Sequence, residues 1–290
     1  MADSAGRQRG AWGEALSAAE RAAIARALPA VWRAGRAGPL DVAGLAEHAA
    51  CEPADLARFH IPLAQLLIQC AEGAERRFLV AVAGVPAGGK SVFTALMLRV
   101  LRALEPPFGV AAFGLDGYHY TNAYLDAHPA PSGDGALRRY KGAPLTFDAA
   151  RLAADLRRLR SEAGPIALPA YDRRLHDPVE GAVVIQPSDR LVLVEGNYLL
   201  HRADGWAEAG ALFDLRLFLD LPEGVNRKRM IARHVRGGRS REDATAHFER
   251  SDAPNTALVA ATRTAADLVV RLDAGYRVVG IEPAGRHSLP

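Results

Sequence analysis

Cysteine is scarce in this 290-residue chain, with Cys51 and Cys70 the only two. That excludes a disulfide-built scaffold, and neither has a second cysteine at metal-ligand spacing. No window approaches ~18 uncharged apolar residues, so no membrane-spanning helix is expected. The first residues, MADSAGRQRGAWGEALS, carry charges where a secretion signal needs an apolar stretch. The expectation is a soluble, unprocessed, cytoplasmic protein. A dominant charge is missing too: 36 basic against 33 acidic residues leave +3, too little to imply a nucleic-acid partner. What is present is ordinary globular composition, 49% hydrophobic and 24% charged, in a length that suits one large α/β domain or a core with an appendage.

Residues 1–75 are rich in Ala, Glu and Arg. Leu45, Ala46, Ala49, Ala50, Leu56 and Phe59 recur three to six apart, and Pro53 before Asp55 marks a helix start. A helical N-terminal extension with little strand is expected. The stretch LDVAGLAEHAACEPADLARF also resembles a helix-turn-helix weakly; packing of an Ala/Leu-rich helical pair on a neighbouring domain explains the same pattern and is preferred.

From residue 77, short β-branched runs alternate with helical patterns, which predicts an α/β fold with a mainly parallel sheet flanked by helices. Strands are expected at Phe78–Ala83, Gly109–Leu115, Pro165–Leu168, Leu191–Glu195, Leu215–Leu219 and Val269–Leu272, and helices over 90–104, 148–162, 223–236 and 255–267. Residues 117–146 and 171–188 read as long loops, with a hairpin at Ala182–Gln186.

Between the first of these strands and its helix, Gly84, Gly89, Lys90 and Ser91 satisfy G-x-x-x-x-G-K-[ST]. Glycines let backbone N–H groups turn toward phosphates, the helix N-terminus adds a favourable dipole, Lys90 reaches the β- and γ-phosphates, and Ser91 suits Mg²⁺. Val85, Pro86, Ala87, Gly88 and Val92 complete the expected nucleotide contacts. The run LVLVEGNYLL delivers Glu195 to the carboxyl edge of the sheet, where it is placed to support the metal. In AAFGLDGYHYTNAYL, Asp116 ends the strand after the phosphate-loop helix, poised to take a proton from an acceptor hydroxyl. Tyr118, His119 and Asn197 are counted with the acceptor side.

The glycine-rich loop, DGYHYTNAYLD, KGAPLTFD and LVLVEGNYLL, in this order, resemble the phosphoribulokinase/uridine kinase superfamily of P-loop kinases, most closely its pantothenate kinase and sugar-kinase-like branch. The resemblance covers about 77–272. It implies Asp116 as catalytic base, Lys90 and Ser91 serving ATP and Mg²⁺, and Glu195 as the second acidic group near the metal. Tyr118 stands where DGF-type motifs carry another aromatic, and the histidine after it fits the sugar-kinase-like branch better. By the same comparison, ALPAYDRRLHDPV is an acceptor-binding segment, with Tyr171 and Arg173 as candidate contacts. NRKRMIARHVRGGRSR is a basic lid, spanning about 234–254, with Arg233 closing on the phosphoryl group and Arg236 on the nucleotide. Lys141 is either an acceptor contact or architecture.

The domains implied are a helical extension over 1–75 and a P-loop kinase domain over 76–290. The expected activity is ATP-dependent phosphorylation of a small-molecule hydroxyl, a sugar or polyol being favoured over pantothenate or a nucleoside. The competing reading is an ATP-binding regulatory protein that switches its N-terminal helices. Neither nucleic acid nor membrane is an expected partner; a homodimer fits the family, though no stretch marks its surface.

Overall fold

The computed structural model describes residues 16–42, 45–49, 51–203 and 205–284. Ala50 and the charged first fifteen residues lie outside them. The first helix, α1 (Ala18–Gly35), starts at a capping box in which Ser17 and Glu20 exchange backbone hydrogen bonds. An antiparallel pair follows, β1 (Leu40–Val42) and β2 (Leu45–Glu47). The helix-turn-helix alternative is corrected here, because Leu40–Val42 and Leu45–Glu47 pair as short strands where its first helix would lie. α2 (Pro53–Asp55) runs through a π turn (Leu56–His60) into α3 (Ile61–Gly73).

The central sheet has the order β10-β9-β8-β3-β7-β4. Its members are β3 (Phe78–Gly84), β4 (Gly109–Gly114), β7 (Asp189–Gly196), β8 (Leu215–Asp220), β9 (Leu268–Leu272) and β10 (Val278–Pro283). All pair in parallel except β10, which returns antiparallel to β9. β10 is an addition to the expected strands. β5 (Ile166–Asp172) and β6 (Asp177–Ile185) form a separate antiparallel hairpin, so the strand expected at 165–168 is longer and lies outside the main sheet.

Strand period explains the two cores. Phe78, Val80 and Val82 face one layer, while Leu79, Ala81 and Ala83 face the other. On the first face, Ile24, Val31, Leu56 and Leu67 of the N-terminal helices share a core with α4 (Lys90–Ala103). The second face is covered by α6 (Ala149–Ser161), whose Leu152, Leu156 and Leu159 are fully buried, and by α7 (Trp206–Gly210). The segment 117–146 is not plain loop but holds α5 (Asn122–Ala127) and short 3₁₀ turns. α8 (Val225–Arg236), α9 (Arg241–His247), a π turn (Phe248–Asp252), α10 (Ala253–Ala260) and a 3₁₀ turn (Ala261–Ala265) follow β8. Among the described residues, no helix is long and apolar enough to cross a membrane.

One ion pair ties the N-terminal helices to the β9–β10 turn. Arg277 donates to both carboxylate oxygens of Asp55, at 2.9 and 3.1 Å. Burial alone would raise the Asp55 pKa, but the Arg277 hydrogen bond, the Glu52 amide and the Arg277 charge hold it below the usual value. A depressed carboxyl stabilises the fold above its unfolded pKa and loses that contribution as the pH falls through the folded one. Asp55→Asn should therefore cost about 1–2 kcal/mol at neutral pH, between an exposed and a buried pair. In urea titrations the gap to the wild type should close below about pH 4.

Candidate functional site

Three parallel strands end at one edge, and each delivers a functional segment there. The glycine-rich loop follows β3, Asp116 sits in the 3₁₀ turn Leu115–Tyr118 after β4, Glu195 lies near the end of β7 and Asn197 just past it. Val82 and Gly114 both stand opposite Glu195 in the sheet register. Sheet pairing thus converges residues that are far apart in the chain.

The loop turns through left-handed Ala87 (φ 55°) and Gly89 (φ 82°), and the Gly88 amide donates to the Val85 carbonyl at 3.0 Å. A Cβ on Gly89 would sit 2.4 Å from Cδ1 of Tyr276, so only glycine leaves this turn open. Lys90, buried, donates to the Gly84 and Val85 carbonyls at 3.0 Å each and to Asn197 Oδ1 at 2.6 Å. Asn197, expected at the acceptor, is thereby held on the phosphate-loop lysine. Ser91 Oγ donates to Glu195 Oε1 at 2.9 Å. A hydroxyl and a carboxylate side by side are the hard oxygen donors that suit Mg²⁺, and the positive-φ turn at the start of α4 suits a phosphate chain. Val92 heads into α4 and packs on the first core.

Electrostatics show how closely these groups gather. Burial lowers the Lys90 pKa; the Glu195 and Asp116 charges work against that, and Arg233 works with it. The Glu195 carboxyl is pushed up by burial and by Asp116, while Lys90, the Ser91 hydrogen bond and Arg173 pull it down. Lys90, Asp116, Glu195, Arg173 and Arg233 therefore share one field.

On the acceptor side, His119 Nδ1 lies 2.9 Å from the Asp116 carbonyl. A carbonyl can only accept, so Nδ1 carries the proton and the neutral ring keeps its Nε2 lone pair. Burial lowers the His119 pKa, favouring that neutral form. Its ring rests on Phe147 and Tyr171, with centroids 3.8 and 5.3 Å away. Lys141 donates to Asn122 Oδ1 at 2.6 Å and to the His176 carbonyl at 2.7 Å, and lies over the Tyr171 ring. It fastens α5 to the tip of the β5–β6 hairpin. Arg173 Nε is buried with no hydrogen-bond partner, and the Arg173 charge acts on Glu195 and Tyr171.

Tyr118 is corrected. It is 1% exposed in the second core, and its hydroxyl donates to Asp155 at 3.1 Å, away from the acceptor surface. The 3₁₀ turn explains it: at three residues per turn, residues two apart point about 120° away from each other, so Tyr118 turns from the Asp116 side into the core. The intervening Gly117 has its own reason. A Cβ there would meet the Pro169 carbonyl oxygen at 2.5 Å and Ala170 Cα at 2.9 Å, backbone atoms of β5 that cannot swing aside. Gly117→Ala should cost about 1–3 kcal/mol in chemical denaturation and raise the acceptor KM, because the hairpin is displaced from Asp116.

Arg233 and Arg236 are exposed on α8, with Arg233 within electrostatic reach of Lys90. The region 234–254, expected as a lid, is helical throughout much of its length, and the small core of Met230, Ile231, Ala244 and Phe248 packs against Ala87 of the loop. No motif in the sequence points to Tyr276, in the β9–β10 turn with φ 69°. Its hydroxyl donates to the Ala87 carbonyl at 3.1 Å, and the Arg229 guanidinium stacks 3.2 Å above its ring. Helix α8, the β9–β10 turn and the phosphate loop are joined through this pair.

No protein-family model matches the chain. It is 34% identical over 235 residues to YggC, an uncharacterised protein of Escherichia coli K12, covering 80% of this chain and 94% of that one. It is 30% identical over 203 residues to the Schizosaccharomyces pombe protein C227.14, provisionally named a uridine kinase, covering 68% of this chain and 84% of that one. A Silicibacter crystal structure provisionally described as a fructose transport system kinase superposes with a TM-score of 0.60 at 28% identity, covering 70% of this chain and 94% of that one.

Proposed function

The chain belongs to the phosphoribulokinase/uridine kinase family of P-loop kinases, and from that premise we propose that it moves the γ-phosphate of ATP, with Mg²⁺, to a hydroxyl of a small sugar- or polyol-like metabolite. The observation that carries the proposal is the convergence of Lys90, the Ser91–Glu195 hydrogen bond and Asp116 at one sheet edge.

In this reading the loop from Gly84 to Ser91 holds the triphosphate on its amides. Ser91 and Glu195 would hold Mg²⁺, which would supply positive charge to the phosphate oxygens. Asp116 orients the acceptor hydroxyl and takes its proton as the oxygen attacks phosphorus. Lys90 faces the charge that develops on the transferred group, and Arg233 approaches from the lid and excludes water. His119 Nε2, Tyr171 and the free Nε of Arg173 face an acceptor rich in hydroxyl groups, which offers donors and acceptors to each. A polyol meets that polar set better than an apolar ligand does.

The test is ADP formation from Mg·ATP, screened against sugars, polyols, glycerate, pantothenate, nucleosides and sugar phosphates. Stimulation by a sugar or polyol supports the proposal. Stimulation only by pantothenate or a nucleoside overturns the acceptor class. Tight ATP binding with no stimulated turnover overturns the kinase reading and favours a regulatory nucleotide switch.

A further inference from the structure

The lid carries a second group of ligating side chains that the kinase reading leaves unused. Gly237 and Gly238 join α8 to α9, and Met230, Ile231, Ala244 and Phe248 give the helical pair its own small core. Beside that core stand His234 on α8, His247 at the end of α9, and Asp252 at the end of the π turn. His234 Nε2 lies 2.7 Å from Asp252 Oδ2, and the two side chains are 17% and 14% exposed. The His234 and His247 rings stand edge to face with centroids 4.6 Å apart. One ligand atom from each of the three residues lies within 4.8 Å of the other two.

The π turn explains how Asp252 joins the pair. In an α-helix, residues five apart point about 140° away from each other. The wider turn over Phe248–Asp252, closed by the Ala253 amide on the Phe248 carbonyl, stacks residues five apart and brings Asp252 under His247.

We propose that His234, His247 and Asp252 form a binding site for a divalent transition metal of the zinc type, which pins α8 to α9 and so fixes the lid. Two imidazoles and one carboxylate make a three-ligand set with one position left for water. Ligand atoms about 2.0–2.1 Å from a tetrahedral zinc stand about 3.4 Å apart. His234 Nε2 and Asp252 Oδ2, 2.7 Å apart, are closer than that and no separation in the set exceeds 4.8 Å, so seating an ion requires side-chain adjustment within the cluster. Nitrogen donors separate it from the oxygen-only Mg²⁺ position at Ser91 and Glu195. Arg239 and Arg250 lie near enough to His247 to oppose a cation, which sets the expected affinity below that of a structural zinc site. Arg229, Arg233 and Arg236 ride on the helix that the metal would hold, so occupancy sets where those arginines stand.

The experiment uses the full chain, stripped with a chelator and returned to excess Mg²⁺. Calorimetric titration with Zn²⁺ should show one equivalent bound, and Co²⁺ should give the intense visible bands of a low-coordinate site. His247→Gln and Asp252→Asn should each weaken Zn²⁺ binding by at least about tenfold, while His128→Gln, a surface control, leaves it unchanged. Zn²⁺ should also slow tryptic cleavage at Arg236, Arg239 and Arg241 in the wild type and not in either variant. Absence of Zn²⁺ uptake, or uptake that survives both substitutions, overturns the proposal. The binding readout is independent of whether an acceptor for phosphorylation has been found.

Discussion

Asp116→Asn should lower acceptor-dependent turnover by about 10²- to 10⁴-fold while leaving nucleotide binding little changed. The substitution keeps the shape of the side chain and removes its negative charge, and with it the ability to take a proton. Position makes the effect specific. Asp116 lies on the turn after β4, between the phosphate loop and the β5–β6 hairpin, and its charge reaches Lys90, Glu195, His119, Lys141 and Tyr171. A group that merely capped the turn would produce a stability change and a modest, parallel loss in every assay. A base would produce a fall in kcat with the melting temperature and the acceptor-free ATP hydrolysis both preserved. Turnover equal to the wild type would remove Asp116 from the mechanism.

The parts of this site that were legible in the sequence are those whose chemistry is written in adjacent residues. A glycine-rich turn followed by Lys90 and Ser91, or an apolar strand ending in Glu195, needs only strand and helix to be placed. Parallel pairing then brings them together without further information. Tyr118 shows where such reading stops. Its neighbours in DGYHY are polar and functional in type, but its own direction depends on a core built from Phe113 and Asp155, which local spacing does not display. Asn197 was legible as a site residue and not as a partner of Lys90, because that contact spans 107 positions. Arg77 reads as a charge at a strand start, yet it is buried and donates to the carbonyls of Asp189, Leu159, Glu162, Gly164 and Gln186. Only the assembled fold offers it those acceptors.

The N-terminal helices were expected as an extension, and the ion pair of Asp55 with Arg277 gives them a further connection. Arg277 follows Tyr276, whose hydroxyl holds the Ala87 carbonyl and whose ring carries Arg229 of the lid helix. The extension thus braces the turn that rests on the phosphate loop. No motif marks this, since each contact involves a single residue from a different element.

Lys90→Met should reduce ADP formation by at least about 10²-fold and weaken ATP binding, with the fold retained. Methionine fills the volume of the buried stem, and the Val85 carbonyl keeps the Gly88 amide as a donor, so the turn is not left empty. What disappears is the positive charge, which burial penalises and the nearby carboxylates of Glu195 and Asp116 sustain. An ammonium has three donors, and here all three are engaged, by the Gly84 and Val85 carbonyls and by Asn197. A phosphate oxygen must therefore displace one of them. The two carbonyls belong to the loop backbone and are fixed; Asn197 is a side chain and can turn away. Asn197→Ala should then cost far less than Lys90→Met, and combining the two should add little, because the asparagine acts through the lysine. Lys90→Arg should not restore activity, since a planar guanidinium cannot occupy the space of a point charge held between two carbonyls. Turnover in Lys90→Met within about tenfold of the wild type would mean that the transferred charge is met elsewhere, and the lid arginines would become the first candidates.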